Sequence, residues 1–147
     1  MAKEFVLDAS VTLRWALHDG SATDRTYADK VLESLAEHIV VVPALWSTEI
    51  VHVLRCAEQS GKLGEAAVTG FIYQLGHLPI RTDSAAPAGL QLAVAAVSRE
   101  FRLTGYDAQY LELARRLNLP LATLDRDLRK AAKKAGVSLH PISSDRA

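Results

Sequence analysis

Short apolar runs recur along the chain, and a longer stretch with helical spacing separates each from the next. The runs fall near 4–8, 39–42, 78–81, 120–123 and 137–140. None alternates with polar residues, which is the pattern of strands covered on both faces. The stretches between them predict helices near 10–18, 23–37, 44–60, 64–77, 86–101, 106–117 and 126–135. Gly20, Gly61, Gly64, Gly105 and Gly136 fall at or near helix ends, and Pro43, Pro79, Pro87 and Pro120 punctuate the connections. Alternation with connections this short implies right-handed crossovers and a doubly wound α/β fold on a parallel sheet of about five strands. There is no repeat, low-complexity stretch or linker, so a single domain over residues 1–147 is expected, long enough for a real core.

Composition refines this picture only slightly. Aliphatic residues dominate, and aromatics make up 6% of the chain. A lone cysteine, Cys56, excludes an intramolecular disulfide and agrees with a cytoplasmic location. Cys56 itself is expected as a buried small apolar residue. The N-terminus runs directly into a strand rather than a signal peptide. The longest apolar run, around Ile39 to Trp46, is too short to span a bilayer and is broken by Pro43, so no membrane partner is expected. Net charge is zero but uneven: residues 1–50 carry four Lys/Arg and eight Asp/Glu, whereas residues 99–140 carry nine and five. The second stretch is either a basic face for a polyanion or a set of solvated helix faces.

Four acids carry the chemistry. Asp8 follows the first apolar run, Glu49 lies one turn into the helix after Pro43, Asp107 opens a later helix, and Asp125 follows the run at 121–124. In an open parallel sheet these points share one edge, where ligands bind. Carboxylates converging there repel one another unless a cation sits among them, and oxygen-only ligands suit Mg²⁺ or Mn²⁺ better than zinc. Each acid also has an ordinary explanation. Asp8 and Asp125 suit helix N-caps, Asp107 completes a capping box with Thr104, and an early-turn Glu49 favours the helix dipole. Glu49 nonetheless sits in an apolar helix and needs a partner; His52 is one candidate, and a solvent-facing or supporting role is the other. Ser10 and Thr123 are placed to orient a carboxylate or water, and Asp127 adds a further acid. In the last helix, Arg126, Arg129 and Lys133 surround an apolar stripe and form a candidate phosphate-contacting face.

The segments VLDAS (6–10), VVPALWSTEIVHVL (41–54), YDAQYLELA (106–114) and TLDRDL (123–128) together resemble the PIN-domain nucleases, in particular the VapC toxins of toxin–antitoxin pairs. The resemblance runs from about Phe5 to Ile142, and the last two segments are its specific part. Many relatives carry Asn three residues past the Glu, where this chain has His52. The resemblance implies sheet order 3-2-1-4-5 and a metal site of Asp8, Glu49, Asp107 and Asp125. Asp8 and Asp107 would be the most direct ligands of Mg²⁺ or Mn²⁺, with Ser10, Thr123 and Asp127 in support. It further implies an endoribonuclease acting on tRNA, rRNA or mRNA, neutralised by a VapB-type antitoxin. A homodimer, or a larger assembly with antitoxin, is expected, with apolar surface on the first four helices serving both contacts. A PIN nuclease of RNA processing without an antitoxin is the nearest alternative. A phosphoacceptor receiver domain also uses an acidic pocket: Asp83 fills one of its positions, but no Lys follows the fifth run.

Overall fold

The computed structural model describes residues 3–141, so the ends of the expected domain, Ile142 included, lie outside it. Four strands form an all-parallel sheet: β1 (Lys3–Leu7), β2 (His38–Val42), β3 (Ile80–Thr82) and β4 (Leu121–Ala122), in order β3-β2-β1-β4. Seven helices are described: α1 (Ala9–Ala16), α2 (Ala22–Ser34), α3 (Leu45–Gln59), α4 (Glu65–Leu75), α5 (Pro87–Phe101), α6 (Gly105–Leu117) and α7 (Arg126–Lys134). Every helix expected from periodicity is present. The inner strands are covered on both faces: Phe5, Val6, Leu7, Val40 and Val41 are wholly inaccessible to solvent. One group of helices has α1 between α2 and α3, with α4 against α3. In the other, α6 packs on β1 and β4 and carries α5 and α7.

Parallel pairing sends every strand C-terminus to the same edge. Asp8 leaves β1 there, Pro43 leaves β2, Asp83 leaves β3 and Thr123 leaves β4. The chain moves from β1 outward through β2 to β3, then returns to add β4 on the other side of β1. The crevice between β1 and β4 is therefore the topological switch point, the usual ligand position in open α/β sheets. A receiver domain reverses at another strand, having order 2-1-3-4-5, and this sheet order excludes it. Asp83 is also committed elsewhere: Arg116 grips it through both terminal nitrogens, at 3.2 and 2.6 Å, while the Arg116 Nε donates to buried Glu112 at 2.6 Å. That guanidinium, through its hydrogen bonds, holds the Asp83 carboxyl below the usual range.

Three expectations need correction. The fifth strand is reduced to one parallel bridge, Leu121 with Leu139. Two backbone bonds close it, Leu121 N–H to Ser138 O and His140 N–H to Leu121 O, each 2.9 Å. Beyond them the His140 carbonyl accepts the Tyr27 hydroxyl, and Pro141 has no N–H to extend a ladder. β3 begins two residues later than expected and is an uncovered edge strand, with Arg81 and Thr82 exposed. Cys56 is exposed rather than buried. The inward stripe of α3 is Trp46, Ile50, Leu54 and Ala57, which leaves Cys56 on the outer face beside exposed His52, with 3.8 Å between Sγ and Nε2. Among the described residues no helix is long and apolar enough to cross a membrane.

Candidate active site

Asp8 occupies the N-cap position of α1 with extended backbone, yet makes no capping bond. Its Oδ2 instead accepts two hydroxyl protons, from Ser10 Oγ at 2.6 Å and Thr123 Oγ1 at 2.7 Å. Each hydroxyl has a single proton, so the 3.5 Å approach between Ser10 and Thr123 is not itself a hydrogen bond. The same two oxygens accept backbone N–H groups from the turn after β4: Leu124 N–H reaches Ser10 and Asp125 N–H reaches Thr123, both at 3.0 Å. The turns after β1 and β4 are thereby joined across the switch point. Asp8 Oδ1 accepts no hydrogen bond from another described residue. Asp8 is 5% exposed. Burial pushes its carboxyl up from 3.8 to about 6, the Ser10 and Thr123 hydrogen bonds work against this, and Glu49 and Asp125 add repulsion.

Asp107 enters from the first turn of α6. Thr104 caps that helix by accepting Asp107 N–H at 3.1 Å, as a capping box requires. Capping does not exhaust the carboxylate. Burial first, and then the charges of Asp125, Asp8 and Asp127, push its pKa from 3.8 to about 6, against a hydrogen bond with Thr104. Asp125 is a true N-cap, its Oδ1 accepting Leu128 N–H of α7 at 2.8 Å. Asp127 lies exposed two residues on, in the first turn of α7.

Glu49 is half-buried and does have the partner its surroundings demand, but that partner is not His52. The hydroxyl of Tyr110, a wholly buried residue of α6, donates to Glu49 Oε1 at 2.6 Å. Burial raises the Glu49 pKa, the Tyr110 bond lowers it, and the Asp107 charge raises it again. Tyr110 was legible only as an aromatic inside the YDAQYLELA segment. Its signal was position: it stands three residues after Asp107, on a neighbouring part of one helix face.

The fold thus links all four acids electrostatically: Asp8 feels Glu49 and Asp125, and Asp107 feels Asp125 and Asp8. It does not close them: among the described residues no three His, Cys, Asp or Glu side chains stand close enough to share a metal ion. A cavity of about 620 Å³ lies apart, between α5 and α6, with walls of Leu90, Val94 and Leu113 and none of the four acids in its lining.

On α7, Arg126, Lys130, Lys133 and Lys134 are exposed. Arg129 is otherwise engaged. Its Nε donates to the Thr123 carbonyl at 2.7 Å, and its guanidinium lies 4.6 Å from the centre of the Tyr27 ring. It braces the same turn that holds Asp8.

No curated protein matches the chain in sequence. Solved structures do resemble it. PAE2754 from Pyrobaculum aerophilum is 26% identical with a TM-score of 0.66, over 89% of this chain and 87% of that one. VapBC2 from Rickettsia felis, bound to a DNA fragment from its promoter, is 8% identical with a TM-score of 0.64, over 93% and 97%. FitAcB from Neisseria gonorrhoeae is 15% identical with a TM-score of 0.61, over 92% and 95%. The last two share the fold alone. The PIN domain family matches residues 5–134, which span β1 through α7 and contain all four acids. The chain belongs to the PIN-domain family, a family of nucleases.

Proposed function

We propose that the chain is a metal-dependent endoribonuclease of the VapC kind, with Asp8, Glu49, Asp107 and Asp125 as its acidic centre. The observation that carries this is Asp8: a buried carboxylate, turned away from the helix it could cap and held at one oxygen by two hydroxyls. Burial and neighbouring acids raise its pKa, so its ionised form needs a positive partner. The all-oxygen donor set suits a hard cation, Mg²⁺ or Mn²⁺, at Asp8 and Asp107 first. When bound, such an ion activates water and neutralises charge on the scissile phosphate. Ser10 and Thr123 orient Asp8 through Oδ2 and leave Oδ1 for the metal. Asp125 caps α7 through Oδ1, and its charge raises the Asp107 pKa.

Purified protein should cut single-stranded or loop RNA with Mg²⁺ or Mn²⁺, and excess EDTA should stop it. Full cleavage in EDTA refutes the metal mechanism. The exposed cations of α7 would hold the RNA backbone. Replacing Arg126 and Lys133 by Gln should lower the log–log salt slope of RNA binding by roughly one unit per lost phosphate contact. An unchanged slope makes this a solvated face. Arg129→Gln is a poorer probe, because it also unties the Thr123 carbonyl.

An antitoxin partner is part of the proposal. VapBC2 and the Klebsiella pneumoniae toxin–antitoxin complex share the fold. Val51 of α3, with Ile72 and Tyr73 of α4, remains exposed beside a groove of about 290 Å³ lined by Trp46, Ile50, Leu75 and Leu78. Such a groove suits an amphipathic segment or a second copy of the chain. Expression with and without the adjoining gene, followed by mapping of RNA ends, separates an antitoxin-controlled toxin from a processing nuclease.

A further inference from the structure

Tyr110 is wholly buried, and a phenylalanine would fill the same space without a hydroxyl to satisfy. The hydroxyl is instead directed at Glu49 Oε1, at 2.6 Å. Among the described residues the Glu49 side chain has no other hydrogen bond, so this contact alone holds a long, flexible side chain. It leaves Oε2 uncommitted. Tyr110 follows Asp107 by three residues on α6, while Glu49 comes from α3. One helix therefore carries one acid of the centre and the clamp for another. Burial and the charges of Asp8 and Glu49 hold the phenol well above its usual pKa, so it remains a neutral donor.

We propose that Tyr110 is a positioning residue for metal binding: its hydroxyl fixes Glu49 through Oε1 and presents Oε2 to a divalent cation shared with Asp107. The inference rests on the metal-dependent reading above and adds a residue whose side-chain hydrogen bond goes to Glu49.

The test is Mn²⁺ titration by calorimetry on the full chain, comparing wild type, Tyr110→Phe, Glu49→Gln and the double variant. Melting temperature in EDTA reports packing separately. Tyr110→Phe should weaken Mn²⁺ binding by roughly 10–100-fold, the usual effect of losing a hydrogen bond behind a ligand. Saturating Mn²⁺ should restore its RNA cleavage. In the Glu49→Gln background the same change should alter Mn²⁺ affinity little, because the coupling has already gone. Two results overturn the inference while leaving the function standing: wild-type Mn²⁺ affinity in Tyr110→Phe, or equal weakening in both backgrounds. Absence of Mn²⁺ binding by the wild type overturns the functional reading, and this inference with it.

Discussion

Asp8→Asn should abolish RNA cleavage and at the same time make the metal-free protein more stable. The amide oxygen can take the place of Oδ2 and accept both hydroxyls, so the local scaffold survives. What disappears is a buried negative charge facing Glu49 and Asp125. Raising a carboxyl pKa from 3.8 to about 6 corresponds to roughly 3 kcal/mol against the ionised form. Some of this is burial that Asn also suffers, so a gain of about 2 kcal/mol, or roughly 4–8 °C in melting temperature, is expected in EDTA near pH 7. Cleavage should fall more than ~100-fold, since losing a ligand exceeds the effect of losing its outer partner. Mg²⁺ should stabilise the wild type by mass action and the variant much less. Asp107→Asn should act in the same direction to a smaller extent, because Asp107 is less buried than Asp8, while Thr104 still caps α6 through the residue 107 amide. Thermal melts in EDTA and in Mg²⁺ check this. Wild type indifferent to Mg²⁺, with both variants destabilised equally in the two buffers, would reduce the acids to helix furniture.

The direction in which metal-free stability moves with pH should reverse when these two acids are removed. Asp8 and Asp107 bind protons in the folded state with pKa about 6, against 3.8 when unfolded. Between pH 4 and 6 the folded state therefore holds the extra protons, and stability falls as pH rises through that window. His140 works the other way. It is buried, stacked on Phe5 at 3.8 Å, and accepts or donates to Ser34 Oγ at 2.9 Å according to its tautomer. Burial first, then His38, lowers its pKa from 6.5 to about 4. Here the unfolded state takes up the proton, so stability is lost as pH falls from 6.5 towards 4. The two carboxylates outweigh the single imidazole in wild type, and acidification from pH 7 to 5 in EDTA should raise its urea midpoint. In the Asp8→Asn/Asp107→Asn double variant His140 dominates, and the midpoint should fall over the same range. Parallel pH profiles for the two proteins would show that the acids titrate as isolated groups.

Much of this was readable from the chain alone, for physical reasons. Seven helices follow from spacing and punctuation, and three acids follow from their place after a strand or at a helix start. What sequence pattern does not carry is direction. Asp8 and Asp125 have the same claim to an N-cap; Asp125 uses it and Asp8 does not, because only Asp8 meets hydroxyls from two turns brought together by pairing of β1 with β4. The partner of Glu49 comes from a helix 61 residues away, not from the neighbouring turn. Cys56 follows from a stripe whose phase is set by Trp46 and Ile50, so an apolar helix still had an outer face. The last strand dwindled because its final carbonyl was claimed by a tyrosine of α2.

The pair of hydroxyls around Asp8 ties completion of the site to a late moment in synthesis. Ser10 and Thr123 lie 113 residues apart, and both donate to Asp8 Oδ2. A nascent chain still short of β4 lacks Thr123, Asp125 and the turn that anchors Ser10. It has the first three acids and the Tyr110 contact to Glu49, but not the bonds that join the turns after β1 and β4. On the nuclease reading proposed above, chains stopped before β4 should be inactive, because the site is completed only as synthesis nears its end.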